Sequence, residues 1–224
     1  MVDTVLHFET GSGEIRLLRC AKNRFGAVEE IGIFAMGEQG LEQVANPAAL
    51  FLTQRQEAQP PGVVAAPVYE GSRVLLVEIQ SLVVPAKGGI SRVFSERIDA
   101  GRVSRMAAVL EKHLKVRLSD QDIYVNVGGG IRIGEVGIEL PLAACLYSAR
   151  LNQPVPPLTA VVGEVSLAGE IHPVPHLERR VRAVQEMASR RLTHPPAKDP
   201  KALVEGLCLP ASSVAEAMRS CFGA

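Results

Sequence analysis

From Gly62 to the C-terminus, short apolar runs alternate with stretches of helical period, and this alternation limits the fold more than any other feature. Arg73-Val74-Leu75-Leu76-Val77-Glu78-Ile79 reads as a buried strand. Ala100 to Val116 carries apolar residues at Val103, Met106, Ala107, Val109, Leu110 and Leu114, the period of a helix. Asp122 to Val127 is a second strand and ends in Gly128-Gly129-Gly130, a tight turn that calls for positive φ. Ile138 to Leu151 is an apolar helix with Pro141 tolerated in its first turn. Ala160 to Val165 forms a third strand. Pro175 to Arg190 is an amphipathic helix with Leu177, Val181, Val184 and Met187 inward. Ala202 to Leu209 is the last strand, and Ser212 or Ser213 caps a terminal helix. With no dinucleotide fingerprint, an α+β or mixed-sheet domain is favoured over a doubly wound one.

The chain ahead of Gly62 has a different texture. Thr4 to Glu9, a Gly-Ser-Gly turn at 11–13 and Glu14 to Cys20 read as a β-hairpin, and Ile31 to Met36 as a further short strand. Residues 37–62 hold Gly37, Gly40, Asn46-Pro47 and Pro60-Pro61-Gly62, with one amphipathic stretch from Ala48 to Gln54. This is a connecting region. The expected organisation is 1–36, the connection 37–62, and a main domain over 63–224.

Composition narrows the function classes. Of 224 residues, 24 are Lys or Arg and 24 Asp or Glu, so any pull towards nucleic acid must come from a local patch. The four cysteines form no C-x-x-C pair, which argues against a structural zinc site and for buried thiols in a reducing compartment. The opening residues lack signal-peptide character, and no apolar run approaches the ~20 residues of a membrane span, so a cytoplasmic protein without membrane contact is expected. There is no G-x-x-x-x-G-K-[ST], G-x-S-x-G, H-E-x-x-H or EF-hand loop, and no metal site is expected.

Several segments resemble, in order, the RadA (Sms) family of bacterial DNA repair proteins: Val2 to Leu6, Lys22-Asn23-Arg24-Phe25-Gly26, Asn46-Pro47 with Phe51-Leu52, Glu70 to Arg73, Leu76 to Gln80, Ala108 to Glu111, Asp122 to Val127, and Gly163 to Val165 with Leu167 to Glu170. The K-N-R-F-G pentapeptide is the hallmark of that family, and the likeness thins after about Arg190. The resemblance implies residues 1–36 as the last strands of a RecA-like ATPase. It implies 63–224 as an α+β domain like the proteolytic domain of Lon. ATP, magnesium and zinc belong, by the same resemblance, to family segments that lie ahead of this one. A homo-hexamer, DNA and a recombinase of the same pathway are the implied partners.

Side chains two apart on a strand share a face, so Lys22 and Arg24 can project together if the strand runs through residue 24. The resemblance implies a finger that reaches a neighbouring subunit's nucleotide in trans; a solvated strand end is the alternative. Laid against the Lon pattern, the nucleophile position falls on Gly137 and the lysine position on Glu178, so the Ser–Lys dyad is absent and no catalytic residue is expected. Lys87 to Arg117 holds eight basic and three acidic residues, a net +5, against −3 over residues 1–60. Such an excess can neutralise phosphates. Arg92, Arg105, Arg102, Lys87 and Arg132 are the candidate DNA contacts. Aromatics make up 4% with no Trp, so contacts to the backbone of single- or double-stranded DNA are expected to outweigh base stacking. A flexible loop over Pro85 to Ser95 and a solvated helix face would leave the same pattern. The second basic cluster, Arg179-Arg180-Val181-Arg182, is expected on the polar side of its helix. These features read as a DNA-binding and scaffolding region of a RadA-type motor, with a degenerate Lon-like peptidase or a purely structural oligomerisation domain as alternatives.

Overall fold

The computed structural model describes residues 2–10, 13–28, 30–44, 50–53, 59–88, 90–187, 189–197, 203–204 and 206–223. Residues 48, 49 and 54 of the amphipathic stretch expected at 48–54 fall outside the described residues, as do Asn46-Pro47 and the start of the strand expected from Ala202.

The hairpin and the strand after it become a four-stranded antiparallel sheet: β1 (Thr4–Thr10), β2 (Ile15–Asn23), β3 (Ile31–Gly37) and β4 (Gly40–Gln43), in that order. β4 lies inside the stretch read as a connection, where four residues with two polar neighbours left no alternation to detect. Leu17, Ile31 and Ile33 turn one face of this sheet into the main core. Arg19 bridges Glu9 and Glu70, tying the sheet to the rest of the chain. The opposite face is apolar too. Phe8 pairs across from Leu18, and Met36 across from Leu41, and Leu6, Phe8, Met36 and Leu41 are all exposed.

The larger sheet is mixed. Its strands are β5 (Val63–Glu70), β6 (Arg73–Pro85), β7 (Val93–Ser95), β8 (Gln121–Val127), β9 (Thr159–Val161), β12 (Arg191–His194) and β13 (Cys208–Pro210). They lie in the order β13-β12-β9-β5-β6-β8-β7. The run from β13 to β5 is parallel, as is β7 on β8, while β6 is antiparallel to both neighbours. β10 (Glu164–Val165) and β11 (Ile171–His172) form a separate small pair. Four helices complete the described structure: α1 (Ala100–Leu114), α2 (Glu139–Leu151), α3 (Leu177–Glu186) and α4 (Val214–Phe222). The fold is α+β. None of the helices is long and apolar enough to cross a membrane.

Helices cover both faces of this sheet along the first half of β6, which is why that strand is apolar at adjacent positions there. Leu75, Val77 and Ile79 pack into the core with α1, α2 and α4, while Leu76 faces Val181 and Val184 of α3. α2 is buried almost all round, Pro141 included. Asp99 caps α1 by accepting from the Arg102 N–H, and Ser213 caps α4 by accepting from the Glu216 N–H. Gly129 sits at φ 72°, and a Cβ there would lie 1.9 Å from the Phe51 ring, so the triple-glycine turn is forced by packing as well as by backbone. The expected strand over 160–165 breaks at Gly163 into β9 and β10, and α3 is shorter at both ends than its periodicity suggested.

Candidate nucleic-acid interface

The K-N-R-F-G segment is a built turn. β2 stops at Asn23, whose side-chain oxygen accepts from the Phe25 N–H at 3.1 Å while its amide donates to the Ala27 carbonyl. A Cβ on Gly26 would come within 3.1 Å of that amide, so glycine lets the turn close on Asn23. Lys22 donates from Nζ to the Val2 carbonyl at 2.7 Å, and Arg24 pairs with Asp3 at 3.3 Å. Both cations are thus tethered to residues just ahead of β1, yet both remain exposed. The tip carries Phe25, which is 80% exposed.

The position laid against Lon's nucleophile holds an ion pair. A Cβ on Gly137 would sit 3.5 Å from a guanidinium nitrogen of Arg180 and 3.5 Å from a carboxylate oxygen of Glu135. Arg180 and Glu135 form a two-pronged pair at 2.9 and 2.6 Å, and the guanidinium also donates to the carbonyls of Pro67 and Pro175. Glu135 further accepts from the Tyr69 N–H. Arg180 is fully buried, which corrects its expected place on the polar side of α3. Glu178 points to solvent, so the helix presents an arginine to this spot and not the residue at the aligned lysine position. The two other serines considered are occupied locally: Ser148 Oγ donates to the Gln153 carbonyl, and Ser166 Oγ accepts from the Glu170 N–H. Among the described residues, no cluster of three His, Cys, Asp or Glu side chains could hold a metal ion.

The basic segment is continuous in sequence but divides in space. Arg92 immediately precedes β7, and its side chain grips both oxygens of Asp122 at the start of β8 and holds that carboxyl below the usual carboxylate range. Lys87 is close enough to add to the same effect. At the other end of β8, the Ile133 N–H bonds the Arg97 carbonyl, which brings Arg132 beside the start of α1. The two groups are separated by the five residue steps from Asp122 to Val127, roughly 17 Å of strand. Arg102 and Arg105, one turn apart, converge on the buried Glu139 at 3.5 and 3.2 Å. Their side chains differ sharply in access, 14% for Arg102 against 50% for Arg105. Arg102 also donates to the carbonyls of Gly134 and Glu135, and so belongs to the interior. Lys87 and Arg132 are exposed and form no ion pair with a described residue.

The stretch read as a flexible loop over 85–95 contains β7, and β7 carries an aromatic that composition had discounted. Phe94 stacks on Tyr124 of β8 with ring centres 4.6 Å apart and planes 9° from parallel. The partners Asp122, Glu135 and Glu139 were not singled out from sequence, although Glu135 and Glu139 lie in the segment after the glycines.

No family model matches the chain. Curated proteins do. "DNA repair protein RadA" of Treponema pallidum is 56% identical over 182 residues, 81% of this chain and 40% of that protein. The chain is related to the C-terminal part of bacterial RadA. The RadA proteins of Pseudomonas aeruginosa (43% over 208 residues, 92% of this chain, 46% of that protein) and Bacillus subtilis (39% over 229 residues, 100% and 49%) agree. The chain spans about half the length of the RadA relatives it matches.

Proposed function

We propose that this chain is the DNA-binding and oligomer-scaffolding C-terminal region of a RadA-type DNA repair motor, with a Lon-like architecture and no peptidase chemistry. The observation that carries the reading is the +5 segment from Lys87 to Arg117 in a chain related to RadA, with Lys87, Arg92, Arg105 and Arg132 all reachable from solvent. Those four contact phosphate. Arg102 holds the start of α1 and Glu139 in place. Lys87 and Arg132 have no ion-pair partner among the described residues to give up, and Arg92 and Arg105 stay on the buried carboxylates of Asp122 and Glu139 and meet phosphate with the guanidinium donors those pairs leave free. The ion pair of Arg180 and Glu135 beside Gly137 occupies the ground where a Ser–Lys dyad would operate, which favours this reading over the degenerate peptidase.

The apolar outer face of the small sheet supports the reading of residues 1–36 as the closing strands of a larger RecA-like ATPase. An antiparallel sheet that ends at water normally turns a polar face outward. Leu6, Phe8, Met36 and Leu41 on that face call for cover from another layer. In that setting Lys22 and Arg24 act in trans on a neighbour's nucleotide in a six-fold ring.

Fluorescence anisotropy of a labelled oligonucleotide tests the DNA assignment. Alanine at Lys87, Arg92, Arg105 and Arg132 together lowers affinity at least tenfold, and alike for unrelated sequences. Unchanged affinity in the quadruple variant overturns it.

A further inference from the structure

A cleft of about 820 Å³ lies on the large sheet, on the side opposite α2 and beyond the reach of α3. Its floor follows from strand register. Leu82 of β6, Tyr124 of β8 and Phe94 of β7 lie directly opposite one another and so share one face. The neighbouring rung carries Gln80 and Asn126, whose amides meet at 3.4 Å. Leu82, Tyr124 and Phe94 are all exposed, and the Arg92 guanidinium lies 5.6 Å from the centre of the Phe94 ring. A water-facing strand ordinarily places polar residues at such positions, so three apolar side chains in a row mark a binding surface.

We propose that this face binds single-stranded nucleic acid by stacking bases against the Phe94–Tyr124 pair. Flat π faces and aliphatic Leu82 suit bases of any sequence, because every base has a π face. The Gln80 and Asn126 amides offer donors and acceptors of the kind that meet base edges. Asp122 is itself buried beneath Arg92, so the rim ahead of Phe94 shows solvent the charge of Arg92 and Lys87, complementary to a phosphate backbone, while the exposed Glu96 lines the cleft at the Asn126 end and keeps the backbone to the Arg92 side. A duplex hides its base faces and cannot use the platform. The inference rests on the DNA reading above and narrows it to a strand type and a place.

The test uses the whole chain and a 15-residue oligothymidylate, against a duplex of equal length. The chain has three tyrosines and no tryptophan, and Tyr124 is the exposed one, so tyrosine fluorescence reports directly on stacking. Binding of the single strand quenches that fluorescence. Phe94→Leu and Tyr124→Leu each weaken single-strand affinity by ~5- to 150-fold, the range for losing one base–aromatic stack. Duplex affinity stays within twofold. Tyr124→Phe keeps the affinity and loses the quench, a split that a folding defect does not produce. If the leucine variants bind the single strand as the parent does, the platform is overturned while the phosphate-contact reading stands. If the parent chain binds neither oligonucleotide, both fall together.

Discussion

Replacing Arg180 by Met keeps much of the side chain's volume and removes the guanidinium that anchors α3 beside Gly137. In the folded protein that group satisfies four acceptors: two oxygens of Glu135 and the carbonyls of Pro67 and Pro175. Arg180 has 1% of its side chain exposed and Glu135 20%, so the variant leaves a largely buried carboxylate without its cation. Breaking a buried pair from one side costs about 3–5 kcal/mol. With m near ~2.5 kcal/mol/M, the urea midpoint followed by far-ultraviolet circular dichroism falls by roughly 1–2 M at constant m. The double variant Arg180→Met/Glu135→Leu removes the stranded charge and recovers about half of that loss. Recovery stops there because the Pro67 and Pro175 carbonyls and the Tyr69 N–H stay unpaired, at about 1–3 kcal/mol for each buried group. A single variant within ~0.5 kcal/mol of the parent, or a double variant no better than the single, refutes the argument that this pair is an interior lock.

Two further outcomes follow from the charge and burial pattern. Glu111 accepts from the N–H groups of Leu118 and Ser119 and from the Ser119 hydroxyl, which holds its carboxyl below the ordinary value. Its stabilisation is complete above the unfolded value near 4.5 and is lost as pH falls through the lower folded one. Glu111→Gln is therefore less stable than the parent at pH 7, and equilibrium denaturation shows the gap closing in acid; a gap independent of pH contradicts the assignment. Burial pushes the Cys145 thiol up to about 12 and Cys221 to about 11. Native protein treated with Ellman's reagent reacts first at half-buried Cys20, with Cys145 and Cys221 released only on unfolding; early labelling of Cys145 in a peptide map contradicts this.

Much of the architecture was legible because it rests on local signals. The hairpin, α1, β8 and the glycine turn each carry their period or punctuation over several residues. β7 was not legible: three residues between polar flanks hold too little alternation, and only pairing with β8 makes them a strand. All four thiols were expected buried, and the structure buries Cys145 and Cys221 and leaves Cys20 and Cys208 half-covered. The candidate site was less readable still, because charge sums ignore direction. Arg102 and Arg105 differ by one helical turn, yet one is interior and the other half-exposed. Arg180 reads as one more cation on a polar helix, and only the approach of Glu135 from a distant loop makes it core. Composition likewise concealed the aromatic pair, since two rings among few matter only when register sets them side by side.

The salt dependence of DNA affinity tests the central claim most directly. Each phosphate neutralised in a duplex contributes a slope of about −0.9 in log affinity against log salt, so the four reachable cations predict roughly −3 to −4 per protomer. Alanine at Lys87 or Arg132, which have no ion-pair partner among the described residues, flattens the slope by about one unit each. Alanine at Gln153, far from the segment in sequence and uncharged, leaves it unchanged. A parent slope near zero, or a slope that survives loss of all four cations, contradicts the account.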